Sequence, residues 1–396
     1  MKHPPKTRYL YRPITEDAFP KNKLVFISGP RQVGKSTLAK TFLSDSRNYY
    51  TYDNERFRRA WAKDPANALA DRENGVVVLD EIHKDRLWKR KLKGIYDQAG
   101  GTLPIVVTGS ARLDTYRRGS DSLLGRYLPY RLHPFTVGET KNPPAPDAIF
   151  GRQIKPEVTV ADLIRLGGFP EPLFTGEEKN ATRWSRLRLD RLVQEDTRDL
   201  LAVSDLNAFR LLADLLPERV GSALSINALR EDVGKAYATV RSWYQVLEAL
   251  YFCVSIKPYS QKIIRAVRSE PKMYLFDLLR IPSSAEAQRL ENLTALHLLK
   301  ACHFWTDTAQ GEFSLHYVRD KQGREVDFLV VRDRAPWMLI ECKSGNSSPS
   351  PNLRHFANIL KPPHCIQLVR ESQYERNYPA MSTLVISYDR FLAKLP

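Results

Sequence analysis

Cysteine is scarce and scattered in these 396 residues: Cys253, Cys302, Cys342 and Cys365 form no C-x-x-C pair. That spacing speaks against a thiolate zinc site or a disulfide scaffold and fits a reducing, cytoplasmic setting. Long apolar runs are missing as well; none approaches the ~18 residues of a membrane-spanning helix. Residues 1–12 are basic but lack an apolar stretch, so no secretory signal is expected. Internal repeats and low-complexity tracts are absent. Acidic residues are outnumbered, 45 against 61 Lys and Arg, for a formal net charge of +16. That balance points to a polyanionic partner such as DNA, or serves solubility alone. Hydrophobic and charged fractions of 42% and 27% are those of a globular chain. The length implies two or three domains.

What is present centres on Gly29-Pro30-Arg31-Gln32-Val33-Gly34-Lys35-Ser36, a match to G-x-x-x-x-G-K-[ST]. An apolar run, 24–27, precedes it as a buried strand, and a helical pattern, 37–43, follows. The motif needs that setting. Its glycines let the backbone wrap an anion, so amide N–H groups and the helix N-terminus face phosphate oxygens. The expected ligand is ATP with Mg²⁺, held by Gly29, Pro30, Arg31, Gln32, Val33, Gly34, Lys35, Ser36 and Thr37. Lys35 would reach the β- and γ-phosphates, and Ser36 would ligate Mg²⁺.

A second strand pattern, 76–79, ends in Asp80-Glu81, a Walker B arrangement. Asp80 would hold Mg²⁺ through its water shell, and Glu81 would orient the attacking water. The run from 104 ends in Thr108-Gly109-Ser110, so Thr108 or Ser110 lies where a sensor of the γ-phosphate belongs. Trp88, Leu92, Ile95, Tyr96 and Ala99 have helical spacing and read as core. A further strand pattern spans 127–132. Strands separated by helices imply a parallel sheet covered on both faces, an α/β fold with its ligand outside the carboxyl ends of the strands. Residues 1–22, basic and aromatic, either lie over the nucleotide base or form a loose terminus.

Prolines 143, 144, 146 and 156 mark a linker. We expect an ATPase domain over 1–140, a helical region over 141–270 and an α+β domain over 271–396. Residues 182–201 form a helical run with Arg183, Arg186, Arg188, Arg191 and Arg198, which either tracks a phosphate backbone or is a solvated basic face. Within residues 225–254 a helix runs to a break at Gly234, and a second helix spans 237–249. They form either a helix-turn-helix presenting Lys235, Tyr237, Thr239 and Arg241 to DNA, or a hairpin that packs subunits together. An amphipathic helix, 286–300, leads into strand patterns at 313–318, 325–331 and 337–342. A helix at 352–360 and a strand at 365–369 follow.

These motifs together resemble the prokaryotic AAA-type ATPases that carry a C-terminal domain of unknown function. The resemblance rests on residues 29–37, Leu79-Asp80-Glu81-Ile82, Thr108-Gly109-Ser110, Leu124-Gly125-Arg126, Gly167-Gly168-Phe169-Pro170-Glu171, Arg198-Asp199, Pro258-Tyr259-Ser260 and Glu325-Val326-Asp327-Phe328. It spans nearly the whole chain. It implies ATPase activity, homo-oligomers with a ring as one form, a winged-helix-like part and a restriction-endonuclease-like part. In such modules the corner at Arg126 faces the neighbouring subunit, which makes Arg126 the expected arginine finger and Arg131 the second choice. The alternative is that Arg126 pairs with a carboxylate of its own subunit.

The order αβββαβ from residue 286 is similar to the core of PD-(D/E)XK nucleases. On that resemblance Asp327 and Glu341 ligate Mg²⁺, and Glu291 is a further acidic member of the site. Lys343 shares a strand face with Glu341 and orients the water or neutralises the transition state; Gln367 lies on the fourth strand. The leading expectation is an ATP-driven machine acting on branched or broken duplex DNA, with a nuclease-like domain that binds or cuts it. The rival is a nucleotide-switched regulator of a protein partner, its nuclease-like domain inert.

Overall fold

The computed structural model describes residues 8–109, 123–152, 154–196, 205–260, 270–345 and 348–396. The chain divides into two compact units: His3–Pro134 with Thr140–Asn142, and Phe135–Glu139 with Pro143–Pro396.

In the first unit β1 (Leu24–Ser28), β2 (Tyr49–Thr51), β3 (Val77–Asp80), β4 (Ile105–Thr108) and β5 (Tyr127–Arg131) form one sheet in the order β2-β3-β4-β1-β5. Every neighbouring pair is parallel. Strands β1, β3 and β4 are buried at every position, as continuous apolar runs must be when helices cover both faces. Leu24, Phe26, Val77, Leu79 and Ile105 pack on Phe57 and Trp61 of helix Glu55–Lys63 and on Trp88, Leu92 and Ile95 of helix Trp88–Gln98. Each helix brings these residues to one face through i, i+3 and i, i+4 spacing. The Asn54 side chain starts the first helix by accepting the Phe57 N–H at 3.1 Å. The strand order reverses at β1, so the phosphate loop leaves the sheet at its switch point.

The second unit opens with helices, among them Glu178–Arg191, Leu206–Leu215, Ile226–Val233 and Tyr237–Ala249. The last pair turns at Gly234, whose φ of 68° suits a residue without a side chain. Within the arginine-rich helix, Arg183, Arg186 and Arg191 are exposed, but Arg188 is core: its guanidinium lies 4.4 Å from the Phe169 ring centroid. Residues 197–201 of that run, with Arg198 and Asp199, lie outside the described residues.

A hairpin follows that the sequence reading did not assign: β6 (Cys253–Ile256) and β7 (Lys272–Leu275), antiparallel. The helix stops at Ala249 because Tyr251 turns the chain at a φ of 56°. Residues 221–224 flank β7 on its other side, where the Gly221 N–H donates to Met273 and the Leu224 N–H to Pro271. Next come helix Glu286–Asp307, β8 (Phe313–Arg319), β9 (Glu325–Arg332), β10 (Ala335–Cys342), helix Pro351–Leu360 and β11 (His364–Val369). Two strands not anticipated, β12 (Glu375–Tyr378) and β13 (Thr383–Ser387), extend the sheet to the order β12-β13-β11-β10-β9-β8.

The long helix also holds residues 135–139 of its own unit. The buried His297 accepts the Val137 N–H at Nε2, 3.0 Å away. The fully buried Lys300 donates to Thr136 Oγ1 and Glu139 Oε2, both at 2.7 Å. Gly138 is needed there, since a Cβ would meet the Leu395 carbonyl oxygen at 2.4 Å.

Candidate functional site

The phosphate loop starts where β1 ends. Gly29 has a φ of 147°, and a Cβ on it would meet the Leu132 carbonyl oxygen at 2.2 Å, so both its freedom and its smallness are used. Gln32 and Gly34 also take left-handed backbone, the succession that turns amides into an anion-binding nest. Lys35 opens helix Lys35–Lys40 and is 7% exposed. Its Nζ donates to the carbonyls of Gly29 (3.0 Å) and Pro30 (2.8 Å), which holds the ammonium against the loop.

The loop is braced from residues that neither reading of the N-terminus foresaw. Buried Arg8 donates from Nη1 to the Val33 carbonyl (2.9 Å) and from Nη2 to that of His133 (2.7 Å). Tyr9 donates its hydroxyl proton to the Arg131 carbonyl (2.6 Å) and accepts the His133 N–H (3.0 Å). The available signal was Tyr9, Leu10 and Ile14, apolar residues clustered before the first strand and now buried.

Pairing of β3 with β2 and β4 sets Asp80 beside Thr51 and Thr108. Its carboxylate accepts three hydroxyls: Ser36 at 2.8 Å and Tyr49 at 2.5 Å on Oδ2, and Thr108 on Oδ1. Ser36 and Asp80, the two expected metal-binding residues, are thus in direct contact. They supply the hard oxygen donors that Mg²⁺ takes, at the foot of the phosphate loop. Tyr49 was not foreseen. Burial, then the bond to Asp80, raise its hydroxyl pKa. Of the two sensor candidates, Thr108 is committed to Asp80, and Ser110 lies outside the described residues.

Glu81 holds a φ of 57°, a conformation that costs a non-glycine residue on the order of 1 kcal/mol. Its N–H donates to the Thr108 carbonyl at 3.0 Å. Burial pushes its carboxyl pKa up, while Lys35 and Lys84 pull the other way. A carboxylate of raised pKa beside the loop lysine is suited to accept a proton from water.

Arg126 stands elsewhere. It precedes β5, and its carbonyl accepts the Leu24 N–H at the start of β1, whereas the loop follows Ser28, the partner of Arg131. Four residues of strand at ~3.3 Å each separate the two ends by roughly 13 Å. Arg126 therefore does not serve its own loop through the strand edge; its Nε lies 3.1 Å from Asp97 Oδ1.

In the second unit the register brings Phe328 opposite Ile340, so Asp327 and Glu341 are near neighbours on β9 and β10. Their hydrogen-bonding partners differ. Asp327 Oδ2 accepts the Cys342 N–H at 2.8 Å, and Glu341 Oε1 lies 2.6 Å from Lys343 Nζ. Glu291 accepts the Tyr274 hydroxyl at 2.7 Å. The point between Glu291 and Asp327 is taken by the ammonium of Lys272, which also touches Glu325. Burial works against that charge, but Glu291, Asp327 and Glu325 outweigh it and hold the lysine pKa above its usual value. Burial and the Asp327 charge push both Glu291 and Glu341 up to about 7. Gln367 pairs with Glu341 across β10 and β11 and is spent on the backbone of Ser348 and Ser350. Among the described residues no three His, Cys, Asp or Glu side chains are arranged to hold a metal ion. Glu291, Asp327 and Glu341, expected as metal ligands, do not fit that task in this arrangement. Among them too, no helix is long and apolar enough to cross a membrane.

Residues 158–278 match the model of a domain of unknown function (DUF8612), and residues 288–390 that of another (DUF4143). The uncharacterized protein Rv2008c of Mycobacterium tuberculosis is 23% identical over 333 residues, 79% of this chain and 71% of its own. MJ1637 of Methanocaldococcus jannaschii is 23% identical over 392 residues, covering 86% of this chain and 79% of its own. Among solved structures, the RuvB Holliday junction branch migration motor of Thermotoga maritima aligns at 19% identity and a TM-score of 0.30, covering 64% of this chain and 91% of that one. Residues 21–141 match the model of an AAA domain, and with the parallel order β2-β3-β4-β1-β5 this makes the first unit an AAA-type P-loop module.

Proposed function

We propose that the chain is a Mg-ATP-dependent AAA-type ATPase, active as a homo-oligomer, that couples ATP turnover to DNA held by its second unit. The observation that carries the ATPase reading is the Asp80 carboxylate, joined to Ser36 of the loop and Thr108 of the next strand, with Glu81 beside Lys35. Lys35 binds the β- and γ-phosphates. Ser36 and Asp80 would hold Mg²⁺, which when bound neutralises charge on those phosphates. Glu81 orients the attacking water and takes up its proton. Arg126 acts at the loop of the neighbouring subunit.

The DNA reading is supported by the +16 charge and by the order of helices, bridging segment 221–224 and hairpin β6–β7, which resembles a winged helix. Tyr237 and Arg241 are exposed near the start of the second helix of that pair. The helix–three strands–helix–strand order from Glu286 supports a nuclease-like fold. The lysine within its acidic centre favours binding over cleavage, and it keeps in play the rival reading, a nucleotide switch directed at a protein. An ATPase assay across junction, forked, blunt and single-stranded DNA, with a Mg²⁺-dependent cleavage readout, separates the two. Branched DNA is expected to raise turnover several-fold, and the stimulation to fade steeply with salt. Turnover indifferent to every DNA would leave the protein-directed switch.

A further inference from the structure

The acidic centre of the second unit contains a cation supplied by the chain itself. We propose that Lys272 is the resident counter-ion of Glu291, Glu325 and Asp327, standing where a nuclease of this layout would place a divalent metal, and that the unit consequently binds DNA without cutting it. That last clause rests on the DNA reading above; the lysine's role does not.

Lys272 is 4% exposed. Its Nζ lies 2.6 Å from Glu325 Oε1, 3.3 Å from Glu291 Oε1 and 3.5 Å from Asp327 Oδ1, so carboxylates of two elements converge on one nitrogen. Several oxygens around it have other partners as well. Asp327 Oδ2 takes the Cys342 N–H, Glu291 Oε1 also takes the Tyr274 hydroxyl, and Glu341 Oε1 takes Lys343. Glu341 Oε2 is buried with no hydrogen-bond partner. Mg²⁺ demands oxygens at about 2.0–2.1 Å in a near-octahedral shell. An ammonium on a buried alkyl stem fills that position and cannot diffuse away.

The lysine comes from the hairpin, not from the nuclease-like sheet. It pairs with Ile256 of β6 on one side and Ala223 on the other. The ion cluster therefore pins β7 to β9 and to helix Glu286–Asp307, and the same contact that closes the acidic centre joins two parts of the unit.

The test uses the full chain without nucleotide and Mn²⁺ as probe, followed by electron paramagnetic resonance and thermal melts. Wild type, Asp327→Asn, Lys272→Ala and Lys272→Ala with Asp327→Asn are compared, and only binding that depends on Asp327 is counted. Wild type is expected to bind no such Mn²⁺. Lys272→Ala is expected to melt several degrees lower, to bind one Mn²⁺ and to regain much of the lost melting temperature with it; the double variant should do neither. If Lys272→Ala is unfolded at room temperature, recovery of its circular dichroism on adding Mn²⁺ is the readout. Asp327-dependent Mn²⁺ binding by wild type overturns the inference. So does a Lys272→Ala protein that neither binds Mn²⁺ nor is stabilised by it. Neither ATP nor DNA enters the experiment, so its failure leaves the ATPase reading standing, and loss of the ATPase reading leaves it intact.

Discussion

Lys35 and Glu81 sit beside the same loop but act on different atoms. Lys35 meets phosphates in the ground state, so Lys35→Ala should abolish tight ATP binding in a nucleotide titration. Glu81 acts on the water, so Glu81→Gln should bind ATP normally and lose roughly 10²–10⁴ in single-turnover rate. Equal loss of affinity in both would refute the division of labour. Arg126 makes a sharper contrast. As a surface partner of Asp97 it contributes about 0–1 kcal/mol, whereas a finger in trans is worth roughly 10³–10⁵ in rate. Arg126→Ala should therefore bind ATP and barely hydrolyse it. Mixing it with Lys35→Ala should restore turnover at interfaces where an intact loop meets an intact arginine. Mixed oligomers with no gain would end the proposal. Lys35, Ser36, Asp80 and Glu81 were legible in the sequence because a phosphate loop and a strand ending in carboxylates are local patterns. Tyr49, Arg8 and Lys272 were not, because each reaches its site through pairing with residues at least 19 positions away.

Among elements, helix Glu286–Asp307 has the most to lose. Burial holds the His297 pKa down at about 3, against an ordinary value of 6.5, so the folded chain keeps the ring neutral while the unfolded chain takes a proton below 6.5. Its contribution is intact above that pH and declines as pH falls toward 3, by up to roughly 5 kcal/mol. His297→Gln should flatten the acid limb of the stability curve in urea melts between those values; an unchanged slope would show that the ring is not the titrating group. Three residues on, Lys300→Met should cost about 3–5 kcal/mol, because Glu139 is left charged in a dry setting. Adding Glu139→Gln should recover most of that loss in the same melts. Element types were legible where periodicity was strong. The hairpin β6–β7 was not, since its strands are only four residues each and pair with each other across a long connection.

For the molecule as a whole, the division into two units sets what a substitution can reach. Asp327→Ala and Glu341→Ala fall in the unit with its own sheet and core, and basal ATP turnover should stay within about twofold of wild type in a steady-state assay. A larger loss would mean that the second unit shapes the nucleotide site. The first unit carries a consequence for synthesis. Its opening strand, β1, has β4 and β5 as neighbours, and Arg8 closes on His133, 125 positions later. A nascent chain therefore exposes its complete phosphate-loop motif long before it can shape it. Until the residues through His133 have emerged, the loop lacks both its flanking strands and its brace, and ATP has nothing to grip. Nucleotide can stabilise this unit only as the last act of its folding, and fragments ending before β5 should carry the motif without the affinity.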